Sequence, residues 1–418
     1  MRLSADDQAV LAGLTAGAEA LVSRAVDWCS INSGSRNLAG LEAQRAVLAE
    51  VLRGFPGQLE SLPLAPSPEV AADGSARLQA HPDALRLTVR PGAPVQVVLT
   101  GHYDTVYPAE TGFTAVRPRD DGALNGPGIA DMKGGISIML GALAAFEGHP
   151  LAARVGYRVL LSPDEEIGSP GSARRLAELA AGGHIGMTYE PCMPDGALAG
   201  ARKGSGNFHA AIAGRAAHAG RDFASGRNAL AGAARLAAAL DGLNGARDGV
   251  TINIARLDGG GALNVVPDNA VLRFNVRTPD AGAAAWCLAE IEAAIAPVRA
   301  TDLTVTLHGG FGRPSKPLNG AQLRLLESVR DVGALLGVPI AWRDSGGVCE
   351  GNNLFAAGLP NVDTLGVRGG DIHSEAEYAW PASFAERACL SAALLMKLAS
   401  GEVDARAIRE MNRAAATA

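Results

Sequence analysis

The sequence predicts an α/β protein, a larger α/β domain interrupted by a small ferredoxin-like α+β sandwich. Three observations carry this. Apolar runs of strand length alternate with helical stretches over the first two hundred residues, the pattern of an α/β sheet. Between about 199 and 311 the order becomes β-α-β-β-α-β, the split βαβ unit. Helical spacing resumes over 320–336 and the α/β pattern then runs to the end. At about 150 residues per domain, 418 residues fit two or three domains. The expected division is 1–198 and 312–418 as two parts of one domain, with 199–311 inserted between them.

The elements follow in order. Residues 5–31 and 41–54 carry helical spacing of Leu, Ala and Val, with Asp6 and Asp7 at the favourable first turn. A Pro-rich stretch, 55–75, reads as irregular. Strands are expected at 85–89 and 95–99, split by the turn Pro91-Gly92-Ala93-Pro94. The near-continuous apolar run in VQVVLTGHYDTV marks a buried central strand that ends in a polar loop. Residues 136–146 read as a helix. The strand at 155–161 ends in the acidic Ser162-Pro163-Asp164-Glu165-Glu166. A helix at 172–179 and a strand at 185–188 lead into Tyr189-Glu190-Pro191. In the inserted unit, strands fall at 207–212, 250–256, 270–276 and 303–307, with helices at 228–240 and 283–296.

Composition removes several function classes. A hydrophobic share of 48% with 19% charged residues fits a packed core rather than disorder. Aromatics at 4% leave little for base-stacking platforms, and a net charge of −6 gives no attraction to phosphate backbones or anionic lipid. Nucleic acid and membrane are therefore not expected partners. The five cysteines (Cys29, Cys192, Cys287, Cys349, Cys389) are scattered and never in C-x-x-C spacing, so they read as structural thiols. The amino-terminal stretch lacks the long apolar core of a secretory signal, and no uncharged apolar run reaches 18 residues. The expected location is cytoplasmic.

The chemistry lies in five oxygen or imidazole donors, most of them at strand ends or in the loops that follow: His102, Asp131, Glu166, Glu190 and His373. In an α/β sheet this is where active residues gather. His102 and Asp104 are two apart and can point the same way on an extended segment, and a carboxylate beside a histidine is the usual means of fixing a metal ligand's tautomer. Asp131 lies in GPGIADMKGG, a loop that opens a helix and does not match G-x-G-x-x-G. One carboxylate can bridge two cations through its two oxygens. Glu165 and Glu166 are adjacent, so one can bind metal while the other addresses a bound water. Singly, each residue has a plainer reading as a structural histidine or a solvated acidic loop.

In combination, the motifs GHYDTV, NGPGIADMKGG, PDEEIGSPGS, YEP, AAHAG, LNVVPDNAVLRFNVR, SGGVCEGNNL and DIHSEAEY resemble the dinuclear zinc amidohydrolases. That family includes glutamate carboxypeptidase, acetylornithine deacetylase and succinyl-diaminopimelate desuccinylase. The resemblance implies a mixed-sheet zinc-peptidase catalytic domain with an inserted dimerisation or lid domain, and two Zn²⁺ per subunit, with Co²⁺ or Mn²⁺ as substitutes. Asp131 would bridge the metals, His102 and Glu190 would complete one site, and Glu166 and His373 the other. Asp104 would orient His102. Glu165 would be the general base, and the Asp131–Met132 peptide would be cis.

The resemblance also implies a homodimer formed through residues 199–311, with His218 reaching into the partner subunit's site to steady the oxyanion. Asn264 and Arg277 would hold the substrate's carboxylate or the tetrahedral intermediate, Arg through its bidentate fork. Arg313 and Gly347, in the Ser345-Gly346-Gly347 turn, are further substrate-side candidates. On the residues alone, Arg277 also fits a strand-end salt bridge and His218 a surface turn; Arg202 and Lys203 read as solvated. Glu190, where many aminopeptidases of the family have Asp, favours an amide whose amine side carries a free carboxylate. The implied substrate is a small peptide or an N-acyl amino acid, so the reading is a carboxypeptidase, with a deacylase or a non-catalytic binding homologue as alternatives. Cys349 and Glu350 stand where Ser and Asp are usual, and Asp371 where Gly or Ala is; these departures lie close to the expected site and bear on the family's glutamate preference more than on hydrolysis.

Overall fold

The computed structural model describes residues 1–417. A six-stranded mixed sheet forms the larger layer, in the order Gln58–Leu62, Ala84–Val89, Val155–Ser162, Val95–His102, Ile185–Thr188, Asn361–Val362. The first three strands pair antiparallel with one another in turn, and the remaining pairings are parallel. Parallel strands need cover on both faces, which explains their continuous apolar runs. One face packs against helices Gly134–Glu147 and Ala382–Ser400, backed by the amino-terminal helices. The other face carries a smaller cluster of Val98, Leu160, Leu176, Leu354 and Leu359.

The single helix expected over 5–31 is broken at Gly17 into Ala5–Ala16 and Ala18–Cys29, which meet at 49°. The stretch 55–75 is not irregular throughout. Gln58–Leu62 is the edge strand of the large sheet, and Ser67–Val70 pairs with Ala76–Gln79 as a separate hairpin. Edge and two-stranded positions tolerate the prolines that mask strands in the sequence.

Between Gly204 and Arg313 the order is the expected β-α-β-β-α-β, with an antiparallel four-stranded sheet arranged Thr251–Gly259, Asn269–Thr278, Gly204–Ala213, Thr304–Arg313. Alternation gives this sheet two faces. Phe208, Ala210, Ile212, Leu272, Phe274 and Val276 enter a second core under helices Ala229–Asp241 and Ala281–Arg299. Asn207, His209, Arg273, Asn275 and Arg277 lie on the opposite face, toward a cleft. The chain enters and leaves this unit on paired segments: the Arg202 N–H donates to the Lys316 carbonyl at 2.8 Å and the Lys316 N–H to Arg202 at 2.9 Å.

Segments Ile129–Glu147 and Ala281–Arg299 are long and apolar enough to cross a membrane by length and composition. Neither is an uncharged run, because Asp131, Lys133, Glu290 and Glu292 lie within. The first is 89% buried inside the fold, and the second lays Cys287, Ile291 and Ile295 on the second core.

Candidate metal centre

The donors converge because the strands that carry them are neighbours. His102 ends Val95–His102, and Glu165 and Glu166 occupy the turn after Val155–Ser162. Glu190 follows Ile185–Thr188 by two residues. Asp131, followed by a cis peptide to Met132, lies in the turn that opens helix Gly134–Glu147. That helix approaches the Glu190 strand so closely that a Cβ on Gly135 would stand 2.0 Å from the Tyr189 carbonyl oxygen. Only glycine allows this contact.

Asp131 is shared by two donor sets, His102–Asp131–Glu190 and Asp131–Glu166–His373, each compact enough to hold a metal ion. Its Oδ1 lies 3.1 Å from His102 Nε2, and its Oδ2 lies 3.2 Å from His373 Nε2. Glu190 Oε1 stands 3.8 Å from His102 Nε2, and Glu166 Oε2 3.2 Å from His373 Nε2. Beneath them, Asp104 fixes the imidazole of His102. His102 Nδ1 is 3.0 Å from the Asp104 carbonyl and 3.3 Å from its Oδ1, which leaves Nε2 facing the carboxylates. The Asp104 carboxylate is itself held by Ser35 Oγ at 2.7 Å and the Glu165 and Glu166 N–H groups at 3.1 Å each.

The electrostatics call for cations. Burial pushes the Glu190 carboxyl up to about 7, with Asp131 adding to the effect, and raises Glu166 well above its usual range for the same two reasons. Burial opposes the charged form of His102, but Asp104, Asp131 and Glu190 outweigh it and raise its pKa. Asp131 and Glu166 lift His373 to about 11. Carboxylates and imidazoles crowded together in this way form a donor set that suits bound cations. Glu166 Oε1 and Glu190 Oε1 are buried without a hydrogen-bond partner, so the donor set has free ligand atoms where metals would bind.

Glu165 sits over this cluster with Oε2 4.0 Å from His102 Nε2 and Oε1 2.6 Å from Arg313 Nη2. The expectation that Arg313 serves the substrate meets a different arrangement. It borders the cleft but is buried, with both Nη nitrogens donating to protein acceptors: Nη2 to Glu165 and to Ser169 Oγ at 3.0 Å, Nη1 to Asn353 Oδ1 at 2.7 Å. Arg202, read as solvated, is buried against Asp363 at 2.8 Å and donates to the Gly347 carbonyl at 3.1 Å. Burial of Asp363, 161 residues away in sequence, draws it in.

The cleft, about 900 Å³, runs from Asp131, Glu165, Glu166, Glu190 and His373 along the polar face of the second sheet. Arg277 and Gly347 line it. Arg277 Nε donates to Asn275 Oδ1 at 2.9 Å, while its Nη1 is buried without a partner. Cys349 and Glu350 are buried and are not among the described residues that line the cleft; Glu350 accepts a hydrogen bond from Ser162 Oγ, and burial lifts its carboxyl to about 8. His218 and Asn264 are exposed and absent from that lining, the Ala219 N–H donating to the Asn264 carbonyl at 2.9 Å. The His218 loop leaves the far end of Gly204–Ala213, ~26 Å along the strand from Ser205 at ~3.3 Å per residue, and bridges there to the loop between Thr251–Gly259 and Asn269–Thr278 that carries Asn264.

Sequence reasoning passed over Glu377. Its Oε1 accepts the N–H groups of Ala130 and Asp131 at 2.8 and 3.0 Å, and its Oε2 the Gly128 N–H at 3.0 Å and the Tyr107 hydroxyl at 2.6 Å. Its place four residues after His373 was the available signal. Lys133 was missed too: it anchors the same loop through the carbonyls of Trp28 and Ile31 at 3.0 and 2.7 Å.

The sequence pattern of the peptidase family M20/M25/M40 matches residues 98–397, a span that contains every one of these donors. The chain belongs to that family. Its members are hydrolases, and this chain is accordingly a hydrolytic enzyme of a metal-dependent family. Carboxypeptidase G2 of Pseudomonas sp. strain RS-16 is 29% identical over 317 residues, covering 73% of this chain and 74% of that protein. A succinyl-diaminopimelate desuccinylase of Xanthomonas oryzae pv. oryzae is 29% identical over 318 residues, covering 71% of this chain and 81% of its own length. The fold is shared with human carnosine dipeptidase 1, at a TM-score of 0.71 and 16% identity over 94% of this chain and 100% of that one. It is shared also with an M20 metallo-carboxypeptidase of Sulfolobus solfataricus, at a TM-score of 0.69 and 13% identity, with 90% and 98% covered.

Proposed function

We propose that this M20 hydrolase holds two metal ions, zinc in the first instance, and cleaves an amide bond next to a free carboxylate. The observation that carries the reading is Asp131, whose two oxygens each face a separate set of donors. Imidazole and carboxylate ligation without cysteine suits Zn²⁺, and Co²⁺ or Mn²⁺ can replace it. Bound there, such ions would supply Lewis-acid polarisation of the scissile carbonyl and a lowered pKa for an attacking water. His102 and Glu190 would bind one ion, Glu166 and His373 the other, and Asp104 keeps His102 in the ligating tautomer. Glu165 takes the proton from the water and returns it to the leaving nitrogen. Arg277, with an unpartnered Nη1 in the cleft wall, takes the substrate's carboxylate.

The substrate is a small peptide cleaved at its carboxyl end. The second reading is an N-acyl-amino-acid deacylase, favoured by the desuccinylase relatives. Residues 199–311 are assigned as lid and dimerisation domain, with His218 and Asn264 serving the site of a second copy. The test is amine release from peptidyl and N-acyl amino acids, with Zn²⁺ or Co²⁺ added and with a chelator. Chelator-sensitive release is expected, and the preferred substrate separates the two readings. Release that persists after full metal removal would sink the two-metal mechanism.

A further inference from the structure

Glu165 is gripped by a residue that comes from the other sheet. Arg313 ends Thr304–Arg313, the strand that returns the chain from the ferredoxin-like unit. Its Nη2 donates to both the side chain and the backbone of Glu165, to Oε1 at 2.6 Å and to the carbonyl at 3.0 Å. A guanidinium is planar, so two contacts on one residue set that residue's orientation as well as its charge. The guanidinium is in turn fixed by Asn353, on the helix Glu350–Ala356. Asn353 Oδ1 accepts from Arg313 Nη1 at 2.7 Å, and its Nδ2 donates to the Gly312 carbonyl at 3.1 Å. The amide thus holds both the backbone and the tip of the arginine strand end. With Oε1 engaged, Glu165 presents Oε2 to the metal cluster, 4.0 Å from His102 Nε2. Arg313 and Asn353 are 2% and 9% exposed, so water does not compete for these bonds.

We infer that Arg313, locked by Asn353, is a positioning residue that holds Glu165 with one carboxylate oxygen aimed at the reacting water. The end of the strand Thr304–Arg313 must then be docked for the base to stand in its working pose. This inference rests on Glu165 being the general base, as proposed above.

The test is steady-state kinetics on metal-loaded, full-length protein carrying Arg313→Lys, Asn353→Ala, both, or Glu165→Gln, with metal content and thermal melting measured on each. Arg313→Lys keeps a buried cation but loses the fork, and is expected to lower kcat at least tenfold, since misplacement of about 1 Å can cost about a hundredfold. KM should move less than about twofold, because the effect is on the transition state rather than on uniform binding. Asn353→Ala should lower kcat in the same sense, and the double variant should be little worse than Arg313→Lys alone, as residues acting as one unit are non-additive. A KM raised tenfold with kcat unchanged would make Arg313 a substrate ligand and overturn the inference. So would additive losses, or wild-type kcat in Asn353→Ala, the variant that spares the buried charge. Activity retained in Glu165→Gln would instead overturn the base assignment, so the two failures are distinguishable.

Discussion

The carboxylate of Glu377 accepts the backbone N–H of Asp131 at 3.0 Å across 246 residues of sequence. The same side chain takes the N–H groups of Ala130 and Gly128, so a buried acid lies beneath the loop that presents the shared donor. Burial pushes this carboxyl up to about 7, with Asp131 adding to it. Glu377→Gln places an amide NH₂ against backbone donors and breaks part of this cradle. We expect metal affinity to fall about 10–100-fold, the usual loss when a group behind a ligand is changed. Competitive titration with a chromogenic chelator measures it, and unchanged affinity would show that the loop holds its shape without Glu377.

Replacing Glu165 by Gln keeps its size and removes the proposed proton acceptor. Proton transfer by a positioned side chain contributes about 10²–10⁴-fold, so kcat should fall by that order. The metal donors Asp131, His102, Glu190, Glu166 and His373 do not include Glu165, so bound metal should stay at the wild-type level. Metal analysis of the purified variant beside its turnover rate checks both parts.

Asp363 Oδ2 accepts Arg202 Nε at 2.8 Å and Lys316 Nζ at 2.5 Å, all three residues being buried where the chain enters and leaves the ferredoxin-like unit. Burial pushes the Asp363 carboxyl up, but the two cations outweigh it and hold it below the usual carboxylate value. A depressed carboxylate stabilises the fold above its unfolded pKa, and that stability is lost as pH falls through the folded value. Asp363→Asn should therefore cost about 3–5 kcal/mol at pH 7, as for a broken buried pair. The deficit should shrink below about pH 4, where the wild type loses the same interaction. Urea unfolding at the two pH values reads the difference. A deficit that grows on acidification would contradict the assignment.

The donors were legible because they stand in short motifs, most of them at strand ends or in the loops that follow, and an α/β sheet gathers such ends on one side. The β-α-β-β-α-β order expected between about 199 and 311 was legible in its strand alternation and helix spacing, and these elements run from Gly204 to Arg313. What escaped were partners joined only by tertiary contact. Ser35 reaches Asp104 over 69 residues, and Glu377 serves backbone N–H groups that no side-chain pattern reveals. Arg202 looked solvated because the carboxylate that buries it is far along the chain. Arg313, in FGRPSKP, was a substrate-side candidate on the resemblance, yet its guanidinium donates to Glu165. Strands at 58–62 and 67–70 were hidden by prolines that edge positions tolerate.

His218 offers a test of the proposed dimer that needs no second structure. Its loop is exposed, and among the described residues its Nδ1 accepts just the local N–H groups of Gly220 and Arg221, at 3.1 and 3.2 Å, which leaves the exposed ring able to meet another copy. If it acts in trans, His218→Ala and Glu165→Gln subunits are each inactive with themselves but complementary with each other. A mixed dimer pairs the intact Glu165 of one subunit with the intact His218 of the other, giving one complete site of two. Random reassortment of equal amounts makes half the dimers mixed, so about a quarter of wild-type activity should return in a closed two-fold assembly. Dissociating and remixing the two variants, with size-exclusion light scattering to confirm dimers, measures this. Activity that stays at the level of the separate variants, in dimers shown to have exchanged, would remove His218 from the partner's site.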